Sequence, residues 1–326
     1  MRYLTTRLSS FVKPVLACRR HNSSLGKAME DEQKYFSLSE IVGVLEEFAP
    51  LSLAESWDNV GLLIEPSKPR IVKTALVVND LTERVLDNAI KSSADLIISY
   101  HPPIFAPMKR ISQRCFFDIG LSAKNVLTGS NWKDRIVTKC LENQLAVYSP
   151  HTAWDSIDGG INDWLCSVVT GKDGKCVTQP VSPNQIFPNM GAGRIIEMEQ
   201  SKTLQSIVDT IKTESKLPNV QIAIGVNQNL DSEVRRIALC AGSGASVLKG
   251  VAADLYVTGE MSHHEVLDAV HRNVSVVLMN HSNSERGFFE TFRIKFYERF
   301  CNDPTNPKLT QIILDSEHDK DPLTTH

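Results

Sequence analysis

His101, His151 and His281 each stand just beyond an apolar run, and carboxylates accompany two of them. LIIS leads into Tyr100-His101-Pro102-Pro103, LAVYSP into His151-Thr152-Ala153-Trp154-Asp155, and VSVVLMN into His281-Ser282-Asn283-Ser284-Glu285. Neutral imidazole together with carboxylate is a donor set that suits zinc, manganese, iron or cobalt. The spacing of His281 and Glu285 places both side chains on one face of a helix. Asp155, at the same spacing from His151, supplies either a second ligand or a partner for one. Two prolines after His101 fix the backbone that carries it. Taken singly, each cluster reads equally well as turn or helix-start chemistry. Together, at three equivalent strand ends, they predict one shared metal site that only the fold can assemble.

The elements that must position these residues are legible as alternating runs. Ser37 and Glu40 form a capping-box pattern ahead of Leu38, Ile41, Leu45 and Phe48 at helical spacing. TALVVND, DLIIS and LAVYS read as buried strands, with helices over 82–93, 132–144 and 160–169. The alternation resumes with RIIEME as a strand, 204–215 as a helix, and VQIAIGV, VRRIALC, DLYVTG, VSVVLM and LTQIILD as strands. Helices are expected over 262–273 and 285–300. The expectation is an α/β fold with largely parallel sheets, in two halves of about 35–170 and 193–320. The Gly- and Pro-rich segment 171–192 reads as the linker between them. Residues 115–131 fit no element and read as a surface loop. Ligands of open α/β sheets bind at the carboxyl ends of strands, which is where the three clusters fall.

Softer motifs accompany them. Gly259-Glu260-Met261-Ser262-His263-His264 opens a helix with Ser262 as its N-cap. Adjacent histidines on a helix point about 100° apart, so at most one faces a site. CAGSG (240–244) reads as a phosphate-cradling nest or as a plain turn. It lacks the dinucleotide and P-loop patterns, and neither a Ser-His-Asp elbow nor HExxH is present.

Composition narrows the function classes. The 326 residues carry 35 Lys and Arg against 38 Asp and Glu, without a basic stripe, which argues against direct nucleic-acid binding. No apolar stretch is long enough to span a membrane as a helix. Seven scattered cysteines, none in a CxxC pair, fit reduced thiols in the cytosol, nucleus or mitochondrial matrix. Cys140, Cys166 and Cys240 sit in apolar contexts and are expected in the core. Residues 1–29 hold Arg2, Arg7, Lys13, Arg19, Arg20 and Lys27 with no acid before Glu30. That composition reads as a mitochondrial presequence or as an unstructured tail.

The motifs also carry a resemblance. ESWDNVGLL (55–63), DLTERVLDNAI (80–90), YHPPIF (100–105), SPHTAWD (149–155), GGIND (159–163), CAGSG, ADLYVTGEMSHHEVLDA (253–269) and HSNSERG (281–287) resemble the Nif-three-like family. That family is also catalogued as GTP cyclohydrolase I type 2 homologues. The resemblance runs in order from about residue 37 to the DKDP near the C-terminus and is nearest to the family's eukaryotic branch. It implies a two-lobed α/β fold around a central dinuclear site, and homo-oligomers that in bacterial relatives are ring-shaped hexamers. It assigns the ligands to Tyr100, His101, Asp155, His281 and a bridging Glu285, with His151 lining the cavity.

Tyr100 departs from the family pattern, because many bacterial relatives carry histidine there and a phenol ionises near pH 10. One of the two metal positions is therefore expected to be weak or empty. Residues 115–131 look like an insertion, and 171–192 is too short for the extra domain some relatives carry. Two functions follow from the resemblance. One is a metal-dependent hydrolase of unknown substrate, with zinc, manganese or iron bound and His151 or His264 moving protons. The other is a partner of a transcriptional regulator, in which the metal site is structural or vestigial. The implied locations are cytoplasmic or mitochondrial, with a nuclear pool for the second function. Imaging a C-terminally tagged chain with and without residues 1–29 tests the leader: the presequence reading expects mitochondrial signal that disappears on deletion, and an unchanged distribution leaves the tail reading.

Overall fold

Two mixed sheets face one cavity with the carboxyl ends of their parallel strands. A computed structural model of the chain describes residues 35–68, 70–109, 111, 131–171, 174–298 and 309–324. The leader 1–29 and nearly all of the expected 115–131 loop lie outside the described residues.

In the first sheet the strands run in the order Gln311–Leu314, Thr74–Val78, Leu96–Ser99, Ala146–Ser149 and Gly61–Ile64. The first four are mutually parallel and Gly61–Ile64 closes the edge antiparallel. In the second sheet the order is Gln221–Ala223, Ser275–Leu278, Leu255–Thr258, Glu233–Cys240, Arg194–Thr203 and Cys176–Gln179. Its three central strands, Glu233–Cys240, Leu255–Thr258 and Ser275–Leu278, are parallel; Gln221–Ala223 and Arg194–Thr203 flank them antiparallel, and Cys176–Gln179 pairs antiparallel with Arg194–Thr203.

The apolar runs become parallel strands because both of their faces are covered. Leu96 and Ile98 point into a core shared by the two halves, whereas Ile97 points to helices Glu83–Lys91 and Trp132–Glu142 through Val85, Leu86, Ile136 and Val137. Helix Leu38–Phe48 starts at the expected capping box, with the Ser37 amide donating to the Glu40 carboxylate at 2.7 Å. Ser262 caps helix His263–His271 in the same way, with Glu265 as its partner. Cys140, Cys166 and Cys240 are buried thiols, and burial pushes all three above the usual thiol range. Among the described residues no helix is long and apolar enough to cross a membrane.

Two boundaries differ from the expected halves. Gln311–Leu314, expected in the second half, pairs with Thr74–Val78 and completes the first sheet. The expected linker contributes strand Cys176–Gln179 to the edge of the second sheet, and Ser182–Pro183 pairs with Gly191–Ala192. An edge strand faces solvent with most of its side chains, so its polar composition hides it in the sequence.

The halves share one continuous core. Trp154, fully buried, packs against Phe292 at 4.4 Å between centroids and Phe288 at 5.5 Å. Those two residues lie on helix Phe288–Phe296, far along the chain. Arg194, also buried, grips Asp163 through two parallel hydrogen bonds of 2.7 and 3.0 Å. Trp154→Ala should lower the unfolding free energy by about 3–5 kcal/mol. Urea denaturation followed by circular dichroism measures it, and a loss below about 1 kcal/mol would mean that Trp154 does not join the halves.

Candidate metal centre

Strand Leu96–Ser99 ends at Tyr100, whose amide bonds the Val78 carbonyl, and the His101 amide bonds the Asn79 carbonyl. The hydroxyls of Ser99 and Ser149 cap the carbonyls of His101 and Tyr100 at 2.7 and 2.9 Å. His101 is thus fixed by the neighbouring strand ends of its own sheet. From the other sheet, Ser275–Leu278 ends in Asn280, at φ +68°, which turns the chain so that His281 meets His101. The two Nε2 atoms are 3.3 Å apart.

Glu285 lies between them, only 1% exposed. One of its oxygens is 3.4 Å from His281 Nε2 and the other is 3.6 Å from His101 Nε2. Donor atoms of His101, His281 and Glu285 all lie within 4.8 Å of one another. The expected i, i+4 pairing of His281 and Glu285 is present, but a 3₁₀ turn over Ser282–Ser284 makes it, and the α-helix begins only at Phe288.

A second ring of carboxylates holds the imidazoles. His101 Nδ1 meets Asp80 at 2.9 Å and His281 Nδ1 meets Glu260 at 2.9 Å. In a neutral ring, Nδ1 donating to its carboxylate turns the Nε2 lone pair toward the centre, where a cation would displace the remaining proton. Asn79 donates to Glu285 at 3.0 Å. Asp80 and Glu260 were not singled out as functional in the sequence, although a signal existed: they follow strands Thr74–Val78 and Leu255–Thr258 as the histidines follow theirs.

The other expected site residues sit differently. Tyr100 is buried, and its hydroxyl donates to Asp155 at 2.8 Å. Asp155 therefore faces the phenol and is not part of the convergent group. Burial, Asp155 and Glu285 all push the phenol well above its ordinary value. Burial, reinforced by the charge of Glu285, lifts Asp155 to about 6. His151 does not pair with Asp155. Its Nδ1 meets Asp58 at 2.7 Å, and burial of Asp58 is outweighed by His151 and Thr152, which keep that carboxyl below the usual range. The His151 ring lies 5.4 Å from that of His101 and lines the same cavity. His264 is exposed on its helix and does not line it.

The cavity, about 940 Å³, lies between the carboxyl ends of both sheets. CAGSG forms part of its wall, but as a packed turn: the amides of Ala241, Gly242 and Gly244 donate to Asn162, Ser284 and Thr258. Those donors are unavailable to a phosphate. Gly242 has φ +64°, and a Cβ there would lie 2.4 Å from the Glu285 carboxylate, so glycine is required beside the convergent group.

Burial disfavours a charged His101, but Asp80 and Glu285 outweigh it and raise its pKa to about 10. The folded state then binds this proton more tightly than the unfolded chain. The resulting stability is complete below about pH 6.5 and is lost as pH rises through about 10. In chelator-treated protein the thermal midpoint should fall across that window, and His101→Gln should flatten the fall. Parallel profiles for the two proteins would exclude His101 as the titrating group.

Comparison with known proteins adds to this geometry. Residues 36–319 match the family described as Duf34/NIF3 (NGG1p interacting factor 3). The chain is 45% identical over 291 residues to NIF3-like protein 1 of Drosophila melanogaster, covering 88% of this chain and 89% of that one. It is 33% identical over 267 residues to NGG1-interacting factor 3 of Saccharomyces cerevisiae, covering 78% and 88%. The crystal structure of a Bacillus cereus protein related to NIF3 superposes with a TM-score of 0.71 at 21% identity, covering 90% of this chain and all of the other.

Proposed function

The chain belongs to the Duf34/NIF3 family, and on that premise we propose that it binds one divalent ion at His101, His281 and Glu285 and uses it for hydrolysis. The observation that carries this reading is the convergence of three donors from two sheets, with each imidazole anchored at Nδ1 by a carboxylate. A bound zinc, manganese or iron ion supplies Lewis acidity and lowers the pKa of water. The protein's own part is positional. Asp80 and Glu260 hold the imidazole tautomers, Asn79 orients Glu285, and the cavity admits a small substrate to the group. Asp58 fixes His151 with Nδ1 engaged, which leaves Nε2 to take up or release a proton beside the reacting atoms.

A second ion is disfavoured by the pairing of Tyr100 with Asp155. The hydroxyl engages Asp155 Oδ1 and resists ionisation, so the phenol offers no ready ligand. After loading and dialysis, elemental analysis should find about one ion per chain in the natural protein and none in Glu285→Ala. Tyr100→His should move the ratio toward two. A natural protein that retains no ion after loading would refute the metal reading.

A partner reading rests on the yeast relative, whose name describes an NGG1-interacting factor. On this reading the chain binds a transcriptional regulator and the metal group is structural. Pull-down with Glu285→Ala separates the two: partner binding survives that substitution if the surface alone is recognised. Assembly into a homo-oligomer, up to a hexameric ring, belongs to the same proposal and is read by light scattering.

A further inference from the structure

The cavity rim carries two aromatic side chains that the fold leaves in water. Trp57 is 59% exposed and Phe105 is 49% exposed. Their ring centroids are 5.9 Å apart, and they lie 6.0 and 6.3 Å from the ring of His151. The backbones beneath them are pinned. Asp58, next to Trp57, accepts from the Thr152 amide at 3.1 Å, and the Glu55 amide donates to the Thr152 hydroxyl at 2.9 Å. Asn59 donates to the Ile104 carbonyl at 2.5 Å, which ties the segment bearing Trp57 to the one bearing Phe105. Leaving an indole and a phenyl ring wet on a fixed frame forgoes the stabilisation that burial would give them. His151, whose ring meets both of theirs edge-on, itself holds a strained backbone at φ +32°.

Lys133 lines the same cavity. Among the described residues it has no carboxylate partner, and its ammonium lies 5.6 Å over the Trp132 ring. Aromatic faces, a cation with no carboxylate partner among the described residues, and a metal-ligating group therefore open onto one concave space of ligand size.

We propose that Trp57 and Phe105 form a stacking platform for the planar aromatic ring of a small anionic substrate, with Lys133 pairing its negative charge. The concave setting favours a small molecule over a protein partner, which would need a broad exposed apolar patch. The proposal names a substrate class for the cavity and rests on the hydrolytic reading for the reacting end. The platform itself is measurable without turnover.

Titration calorimetry of the zinc-loaded full chain with phenylphosphonate and methylphosphonate tests it, because neither probe can be hydrolysed. Phenylphosphonate should bind about tenfold more tightly, as expected for one stacked ring. Trp57→Ala and Phe105→Ala should each shrink that preference by about threefold or more, with methylphosphonate affinity and zinc content unchanged. Lys133→Met should weaken both probes by similar factors. Equal binding of the two probes, or no binding of phenylphosphonate at millimolar concentration, would overturn the platform. So would a drop in oligomer mass in Trp57→Ala by light scattering, since the rim would then be a contact between copies. Zinc content of the same samples keeps the two readings apart. Zinc retained without ring preference removes the platform alone; ring preference without zinc removes the hydrolytic reading alone.

Discussion

A carboxylate almost sealed from solvent is the constraint around which this protein is arranged. Glu285, 1% exposed, loses most of the hydration that stabilises its charge, and such a loss is tolerated only when partners replace it. The replacements come from both sheets: Asn79 and His101 from the first, His281 from the second. Each imidazole is in turn oriented by a further carboxylate, Asp80 or Glu260. The pattern alternates negative and neutral-or-positive groups outward from the centre. A divalent cation among the three inner donors would satisfy the same requirement with fewer protons.

That requirement explains features of the surrounding scaffold. Asp319 accepts the amide of Asn79 at 2.7 Å and lies 3.5 Å from Arg286, so the segment after the last strand ties the first sheet to the residue beside Glu285. Gly259 is packed so closely that a Cβ would lie 2.6 Å from the Gly242 carbonyl and 2.8 Å from the His281 Cα. Glycine there lets two strand ends of the second sheet approach each other behind the ligands. The shared core about Trp154 and the aromatic side of helix Phe288–Phe296 holds the halves at the separation that keeps the donors convergent.

The Tyr100–Asp155 pair forms part of the wall beside the convergent group. A phenol with a raised pKa is a hydrogen-bond donor, and its acceptor is the carboxylate opposite. Asp155 then serves to hold Tyr100 in the wall. His151 pairs with Asp58 and joins the aromatic rim.

Much of this was readable from local pattern. Continuous apolar runs marked the central strands because parallel strands bury both faces, and the capping boxes at Ser37 and Ser262 marked helix starts because their hydrogen bonds are local. The strand-end rule selected His101, His281 and Glu285, and equally His151 and Asp155, which line the cavity outside that group. What the sequence could not determine were relations between distant segments. Asp80 and Glu260 become partners of histidines only when different strand ends meet. His264 falls away from the cavity because its helix presents it to solvent, and Gln311–Leu314 joins the first sheet although it follows the second in the chain. Periodicity and capping are set within a few residues by backbone geometry, so the chain alone determined the elements and the types of donor. Convergence of donors on one point is set by packing between sheets, so only the tertiary structure decided which donors meet.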